Sequence, residues 1–253
     1  MKKLARHLVA SMLGLAIILV WLTDAQAAEL KVLAGGAMTA VWNELKPKFE
    51  QASGDKLMIR FGTTPELIKL AATGGPFDLG VVPREVFKDA AAQAQFVAGP
   101  TTDIARVGLG VAVRSGAAKP DISTPDAFKQ TLLKAQSIAT IPASAAGAQV
   151  LRAFDRLGIG DALKAKTRAE PAPAKVVEAV ANGDAELGVF LINVLTAPGL
   201  DVVGPFPGDL QQEVVFTAAL SKDTKESAGA QALITYLKTP DAAAIIKAKG
   251  MTP

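Results

Sequence analysis

Short apolar runs typical of β-strands alternate with helical patterns along most of this 253-residue chain. The first run, residues 30–33, leads into a glycine-containing loop. Apolar side chains then recur at intervals of three and four, which is the spacing of one helix face. The runs 57–61 and 79–82 follow in the same order. Because strand–helix alternation indicates parallel sheets covered by helices on both faces, we predict an α/β fold.

Prolines predict two local features of the first helices. Pro65 fits the first position of the second helix, with Thr64 as the residue that caps it. Pro47 lies late in the first helical pattern, where its ring and its missing N–H should kink the helix.

Two longer β-like runs, residues 104–114 and 214–220, frame the middle of the chain. Between them the strand–helix pattern repeats, so we interpret the two runs as crossovers into and out of a second lobe. The prediction is a two-lobed α/β fold with two hinge crossovers. Residues 28–106 and 215–253 form the first lobe and residues 107–214 the second. Two lobes joined in this way enclose a cleft that can close on a ligand.

The N-terminus has the three segments of a secretory signal peptide. Lys2, Lys3 and Arg6 precede 15 uncharged residues, 8–22, and an Ala-Gln-Ala triplet ends at Ala27. The apolar stretch is shorter than the roughly 20 residues that span a bilayer, although a retained membrane anchor is the alternative. We expect cleavage of residues 1–27. Since the chain has no cysteine that could carry a lipid, the mature protein should be free in the periplasm, without stable membrane insertion.

Composition excludes several classes of function. The chain has no cysteine, and its one histidine, His7, lies in the predicted signal peptide. The mature protein therefore lacks the groups for Ser-His-Asp or Cys-His catalysis, for zinc sites built on imidazole or thiolate, and for disulfides. We expect no catalytic residues, no metal and no cofactor. Cleavage leaves 24 basic and 23 acidic residues of the original 27 and 24, so we also expect no nucleic-acid partner.

Three loops follow predicted strands and lead into helix N-termini, which is where open α/β sheets bind ligands. Their glycines and hydroxyls suit an oxyanion or a carboxylate. The candidate ligand-binding residues in these loops are Gly35, Gly36, Ala37, Met38, Thr63, Thr64, Ser144 and Ala146. The alternative is that they form ordinary turns and helix caps.

Three further candidates come close to the ends of predicted elements: Arg84, Pro173 and Asn193. Arg84 directly follows the third strand, and its planar guanidinium could pair with a carboxylate in the cleft. An exposed arginine at the start of a helix is the alternative for this residue.

Six segments of the chain carry a resemblance to a known family. They are KVLAGGAMTAVWNELKPKFEQASG, RFGTTPELIKLAATGGPFDLGVVP, ARVGLGVAVRSGAAKPDISTPDAFKQTLL, RLGIGDALKAKT, VVEAVANGDAELGV and LKTPDAAAIIKAKGMTP. From residue 30 to 253 the chain resembles the molybdate-binding-like branch of type II periplasmic solute-binding proteins. The resemblance implies the two-lobed fold of that family, a small anionic ligand, and delivery of this ligand to an ABC transporter permease. We expect a monomer.

The resemblance also implies which residues contact the ligand. Family members that hold molybdate use a serine, a second hydroxyl, two sets of backbone amides, and a tyrosine near the last strand of the second lobe. These roles correspond here to Ala37, Thr64, Ala146, Pro173 and Leu191. Because Ala37 and Leu191 lack hydroxyls and Pro173 has no N–H, we expect a different anion, such as an organic acid.

Two other functions fit the same scaffold. One is a periplasmic isomerase like aconitate isomerase, acting on a small tricarboxylate. Without histidine its base would be a carboxylate or a lysine, and Glu66, close to Thr64, is the residue to test. The other is a true molybdate- or tungstate-binding protein. An anchored structural or signalling role would need an uncleaved N-terminus.

Overall fold

The structure, a computed structural model, describes residues 27–253. The predicted signal peptide, apart from its last residue, lies outside the described residues. Within the described range no helix has both the length and the apolar character needed to cross a membrane.

Nine strands and ten helices make up the described part of the chain. The strands are β1 (Glu29–Gly35), β2 (Lys56–Gly62), β3 (Leu79–Pro83), β4 (Thr102–Arg114), β5 (Ile138–Thr140), β6 (Thr167–Ala169), β7 (Leu187–Leu191), β8 (Leu200–Pro205) and β9 (Glu213–Leu220). The helices are α1 (Thr39–Ser53), α2 (Thr64–Ala72), α3 (Ala90–Gln93), α4 (Pro125–Lys134), α5 (Ala145–Arg156), α6 (Gly160–Lys164), α7 (Pro173–Ala181), α8 (Ile192–Leu195), α9 (Ser227–Leu237) and α10 (Pro240–Ala248). Short 3-10 turns span Gly36–Met38, Arg84–Lys88 and Gly208–Leu210.

The first lobe is built on the parallel strands β1, β2 and β3, with β9 antiparallel beside β3. Helix α1 packs on this sheet through its apolar stripe, since Val41, Trp42 and Leu45 recur on one face and are buried. Helix α2 belongs to a second apolar cluster that includes Leu33 of β1. Because α1 continues past Pro47 to Ser53, this proline does not end the helix, and the predicted kink stays a prediction.

The second lobe repeats this construction on a smaller sheet. Strand β5 lies between β6 and β7 and is parallel to both, and α5 contributes Val150 and Phe154 to the buried core. Strand β8 pairs antiparallel with β4. The sequence patterns did not predict β6 or β8. Both strands are largely half-buried or exposed, so neither has the apolar run that marks a buried strand.

Strand β4 belongs to both lobes. It pairs with β9 from Thr102 to Gly108 and with β7 and β8 from Leu109 to Arg114. The strand order is β2-β1-β3-β9-β4-β7-β5-β6, with β8 also beside β4. The predicted two-lobed α/β fold with two crossovers is therefore confirmed. The residue boundaries given above for the lobes stay a prediction.

The predicted cap of α2 is wrong by one residue. Thr63, not Thr64, occupies the cap. Its side chain accepts a hydrogen bond from the Glu66 N–H, and Glu66 Oε2 accepts one from the Thr63 N–H at 2.7 Å. This reciprocal arrangement needs a glutamate or a glutamine three positions after the cap, and Glu66 has that spacing from Thr63. The buried Thr64 side chain is thereby free to make a different contact.

Candidate functional site

The cleft between the lobes lies at the carboxyl ends of the parallel strands. Gly36 follows β1 and Thr63 follows β2, while Ser144 and Pro173 come after β5 and β6. Each of these residues lies at the N-terminal end of a helix or 3-10 turn, so four such ends, two from each lobe, meet at one cleft. An inner cavity at this point is lined by Gly35, Gly36, Ala37, Gly62, Thr63, Thr64, Pro83, Ile141, Ser144, Ala145, Ala146, Pro173, Phe190, Leu191, Val214 and Phe216.

Two hydrogen bonds join the lobes across this cleft. Thr64 Oγ1 accepts a 3.0 Å hydrogen bond from the Ala145 N–H at the start of α5. Asn193 Nδ2, on α8, donates a 2.8 Å hydrogen bond to the Ala37 carbonyl oxygen. The inner cavity that remains has a volume of about 30 Å³, which is room for about two water molecules. The lobes are therefore nearly closed at this point.

A wider outer cavity of about 930 Å³ opens beside the inner one and shares five lining residues with it, Gly36, Ala37, Gly62, Thr63 and Pro173. Its polar lining residues are Thr39, Asn43, Thr63, Glu66, Asn193, Thr196 and Lys249. Lys249 Nζ lies 3.0 Å from Glu44 Oε2, and this hydrogen bond lowers the pKa of Glu44. No ionisable side chain of the described chain lines the inner cavity. The partial positive charge of the helix N-termini is therefore the main electrostatic field there.

Glu66 is held by the first turn of α2. Its Oε2 accepts hydrogen bonds from the Thr63 N–H at 2.7 Å and from the Thr63 hydroxyl at 2.8 Å. The backbone hydrogen bond, followed by the hydroxyl hydrogen bond, lowers the pKa of Glu66. A carboxylate stabilised in its ionised form is a weak proton acceptor, so the geometry does not favour Glu66 as a general base.

Ser144 caps α5. Its Oγ accepts from the Gly147 N–H at 2.9 Å and donates to the Ile141 carbonyl oxygen at 2.8 Å. Because the hydroxyl hydrogen is already engaged, this side chain has no free donor for an anion. The structure thus favours the helix-cap alternative for the Ser144 hydroxyl, and the backbone amides of the first turn of α5 are the better donors.

Ten of the twelve predicted ligand-binding residues line the inner or the outer cavity. The two exceptions are Met38 and Arg84. The Met38 side chain is fully buried in the core beneath the first loop. Arg84 donates a 2.5 Å hydrogen bond to Asp103 Oδ2, which lowers the pKa of Asp103. Its guanidinium is therefore paired outside the cleft.

The apolar wall of the inner cavity is the part of the site that sequence reasoning missed. Phe190 on β7 and Val214 and Phe216 on β9 supply this wall. Gly35 is required beside Phe216, because a Cβ at Gly35 would lie 2.4 Å from Phe216 Cε1. The apolar character of these strands predicts burial, but it does not indicate which buried side chains face a cleft.

Known proteins are similar to this chain over most of its length. The model of a family described as bacterial extracellular solute-binding protein matches residues 30–252. An aconitate isomerase of Pseudomonas sp is 36% identical over 231 residues, covering 88% of this chain and 87% of its own length. The molybdate-binding protein ModA of Azotobacter vinelandii is 29% identical over 235 residues, covering 89% of this chain and 90% of its own.

Solved structures share the fold at lower identity. The periplasmic molybdate-binding protein of Azotobacter vinelandii has a TM-score of 0.71 at 23% identity, over 88% of this chain and 99% of that one. The sulfate-binding protein SubI of Mycobacterium tuberculosis H37Rv has a TM-score of 0.73 at 16% identity, over 89% of this chain and 87% of that one. The predicted type II periplasmic binding protein fold and the resemblance to the molybdate-binding-like branch are confirmed.

Proposed function

We propose that this chain, which belongs to the family of bacterial extracellular solute-binding proteins, binds a small anion between its lobes and delivers it to an ABC transporter. The observation that carries the proposal is the meeting of four helix or 3-10 N-termini at a cleft whose inner cavity has no ionisable side chain. In this proposal the protein is a monomeric periplasmic receptor rather than an enzyme.

The chemistry of the helix starts supports an anionic ligand. First-turn amides have no acceptor within their own helix, and the helix dipole adds partial positive charge at the same end. Gly36, Ala37 and Ala146 bring such backbone close to the inner cavity. The Thr64 hydroxyl accepts from the Ala145 N–H and can still donate its own hydrogen to a ligand. An anion held in this way needs no lysine or arginine.

The delivery step is supported by the names of similar proteins. The relatives include molybdate-binding proteins, and a structural neighbour from Clostridium difficile is described as the substrate binding domain of a putative molybdenum ABC transporter. The basic, apolar and small-residue segments of residues 1–27 support export to the periplasm.

The size of the inner cavity favours an organic carboxylate over a tetrahedral oxyanion. About 30 Å³ admits one or two oxygen atoms, which suits a carboxylate group whose carbon skeleton extends into the outer cavity. Ala37 and Leu191 offer no hydroxyl and Pro173 no N–H, so three of the donors that the resemblance implies for a molybdate site are missing.

Thermal unfolding of the purified protein with a panel of anions tests this proposal. The panel contains molybdate, tungstate, sulfate, phosphate and small di- and tricarboxylates. A ligand at one hundred times its dissociation constant should stabilise the folded state by about 2.7 kcal/mol. We expect a carboxylate to raise the unfolding temperature, whereas absence of any shift would contradict anion binding.

One variant in the cleft and one remote from it show whether the anion binds in the cleft. Gly36→Leu should abolish the shift, because its side chain would enter the space between Gly36 and Pro173. Gly75→Leu is the control, since a Cβ at Gly75 meets only the Leu70 carbonyl oxygen, at 3.8 Å. This control should respond to the ligand like the wild-type protein.

An isomerase is the second candidate function, and it is favoured by the 36% identity to the Pseudomonas aconitate isomerase. Its chemistry would need a base in the cleft, and the ionisable groups there, Glu66 and Lys249, are both already paired. NMR of cis- and trans-aconitate incubated with the protein in D₂O separates the two functions. Interconversion of the isomers would support the enzyme, and loss of it in Glu66→Gln would identify the base.

A further inference from the structure

Asn193 carries a buried hydrogen-bond acceptor that nothing in the described chain satisfies. Its Oδ1 has no partner among residues 27–253, although the residue is only 9% exposed. Its Nδ2 donates to the Ala37 carbonyl oxygen at 2.8 Å. This contact fixes the orientation of the amide group, because an oxygen placed there would face another oxygen. The unpaired atom is therefore the oxygen.

The position of Asn193 distinguishes it from other buried groups without partners. Four other side chains of the described residues have such an atom, and none of them lines the inner or the outer cavity. Asn193 lines the outer cavity and lies on α8 in the second lobe, across the cleft from Ala37. Buried acceptors are almost always paired, so a donor from a bound molecule is the natural partner for Oδ1.

We propose that Asn193 is a specificity residue whose Oδ1 accepts a hydrogen bond from the hydroxyl group of a hydroxycarboxylate. This inference rests on the proposed function as an anion receptor. Molybdate, sulfate and simple carboxylates are fully deprotonated at neutral pH and offer acceptors only, so they leave Oδ1 unpaired. An ammonium group would also donate, but the helix N-termini around the cleft make a second positive charge unfavourable.

Asn193 also holds the lobes together, and the test must separate the two roles. Loss of the Nδ2 contact to Ala37 should weaken closure for every ligand alike. Loss of the Oδ1 contact should weaken only ligands that carry a hydroxyl. We therefore compare two ligands that differ in one hydroxyl. The ratio of their affinities depends on the Oδ1 contact alone.

Calorimetric titration with two matched ligand pairs provides this ratio. Tricarballylate is citrate without its hydroxyl, and succinate is malate without its hydroxyl. We expect the wild-type protein to bind the hydroxylated member of at least one pair about tenfold more tightly, the effect of one hydrogen bond to a buried partner. In Asn193→Leu this ratio should fall to about one.

Thr64→Val is the matched control, because it removes the other hydrogen bond between the lobes. It should lower both affinities of a pair and leave their ratio unchanged. If Asn193→Leu behaves in the same way, Asn193 is only a contact between lobes and the proposal is overturned. Equal affinities for both members of each pair in the wild-type protein, or binding of molybdate or sulfate alone, would overturn it too. Those outcomes leave anion binding intact, whereas no binding of any of these anions contradicts the proposed function itself.

Discussion

Gly147 lies where the first turn of α5 passes beneath the chain that leaves β5. A Cβ at this position would lie 1.8 Å from the Ile141 carbonyl oxygen and 2.8 Å from Pro142 Cα. Both contacts are to backbone, which cannot move aside as a flexible side chain would. The Gly147 N–H also donates to Ser144 Oγ, so the absence of a side chain fixes the start of α5 at the cleft.

Gly147→Ala should therefore destabilise the protein by at least about 2 kcal/mol, through overpacking against backbone. Urea denaturation followed by circular dichroism measures this loss. Gly75→Ala is the control, because a Cβ there meets only the Leu70 carbonyl oxygen, at 3.8 Å. Its unfolding free energy should change by less than about 0.5 kcal/mol. Equal urea midpoints for the two variants would show that the loop before α5 can shift to accommodate the added methyl group.

Glu66 predicts a pH dependence of stability. Its pKa is lowered in the folded state by the hydrogen bonds from Thr63, so its contribution is fully present above the usual value of 4.5. As the pH falls below that value, the unfolded state takes up the proton first and the contribution is lost. The stability advantage of wild type over Glu66→Gln should therefore shrink from pH 6 to pH 3. Urea denaturation across this range measures it, and a constant difference would contradict the assignment.

The start of α2 and the start of α5 meet directly across the cleft. Thr63 completes the cap of α2, and this leaves Thr64 free to accept from the Ala145 N–H of the other lobe. The contact pairs a buried donor with a buried acceptor, so it can be given up only when the cleft opens to water or a ligand replaces it. Lobe closure and helix capping are thus linked through two adjacent threonines.

Thr64→Val should shift the unliganded protein toward an open cleft. Valine has the shape of threonine but leaves the Ala145 N–H unpaired unless water enters, at a cost of about 1 kcal/mol or more in the closed state. Small-angle X-ray scattering should show a larger radius of gyration. Thr73→Val, at the exposed end of the same helix, removes only a hydrogen bond to the Leu70 carbonyl oxygen and should scatter like wild type. Identical scattering from all three proteins would argue against this link.

The whole molecule depends on the strand that passes from one sheet to the other. Between Gly108, which pairs with Glu213, and Leu109, which pairs with Leu191, β4 changes partners. Gln211 reinforces this junction. Its Oε1 accepts from the Leu109 N–H and its Nε2 donates to the Leu109 carbonyl oxygen, both at 2.9 Å. The Gln211 side chain therefore forms with Leu109 the two hydrogen bonds that the backbone of a neighbouring strand would otherwise form at the junction of the lobes.

Gln211→Leu should destabilise the protein by about 1–3 kcal/mol, because the Leu109 N–H would be buried without an acceptor. The Leu109 carbonyl oxygen still has the Phe206 N–H as a partner, at 3.2 Å. Hydrogen exchange should report faster exchange around Leu109. Gln212→Leu alters the exposed neighbour and is the control. Unchanged exchange in Gln211→Leu would mean that strand pairing alone holds the junction.

The sequence by itself determined the architecture. Apolar spacing is a local property, so the stripe of α1, the buried strands and the two crossovers could be predicted from residues near one another in the chain. Pro, Thr and Ser at helix starts likewise marked the loops that line the cleft. Strands β6 and β8 could not be predicted, because their pairing partners, not their own apolar pattern, make them strands.

The chemistry of the cleft was decided only by the tertiary structure. Ala145 pairs with Thr64 across 81 residues of sequence, and Asn193 pairs with Ala37 across 156. No local sequence pattern indicates contacts between residues so far apart in the chain. The sequence therefore could not assign the roles of Thr63 and Thr64 or the pairing of Arg84 with Asp103. Which polar groups are paired, and which buried atom is left for a ligand, depends on how the two lobes meet in space.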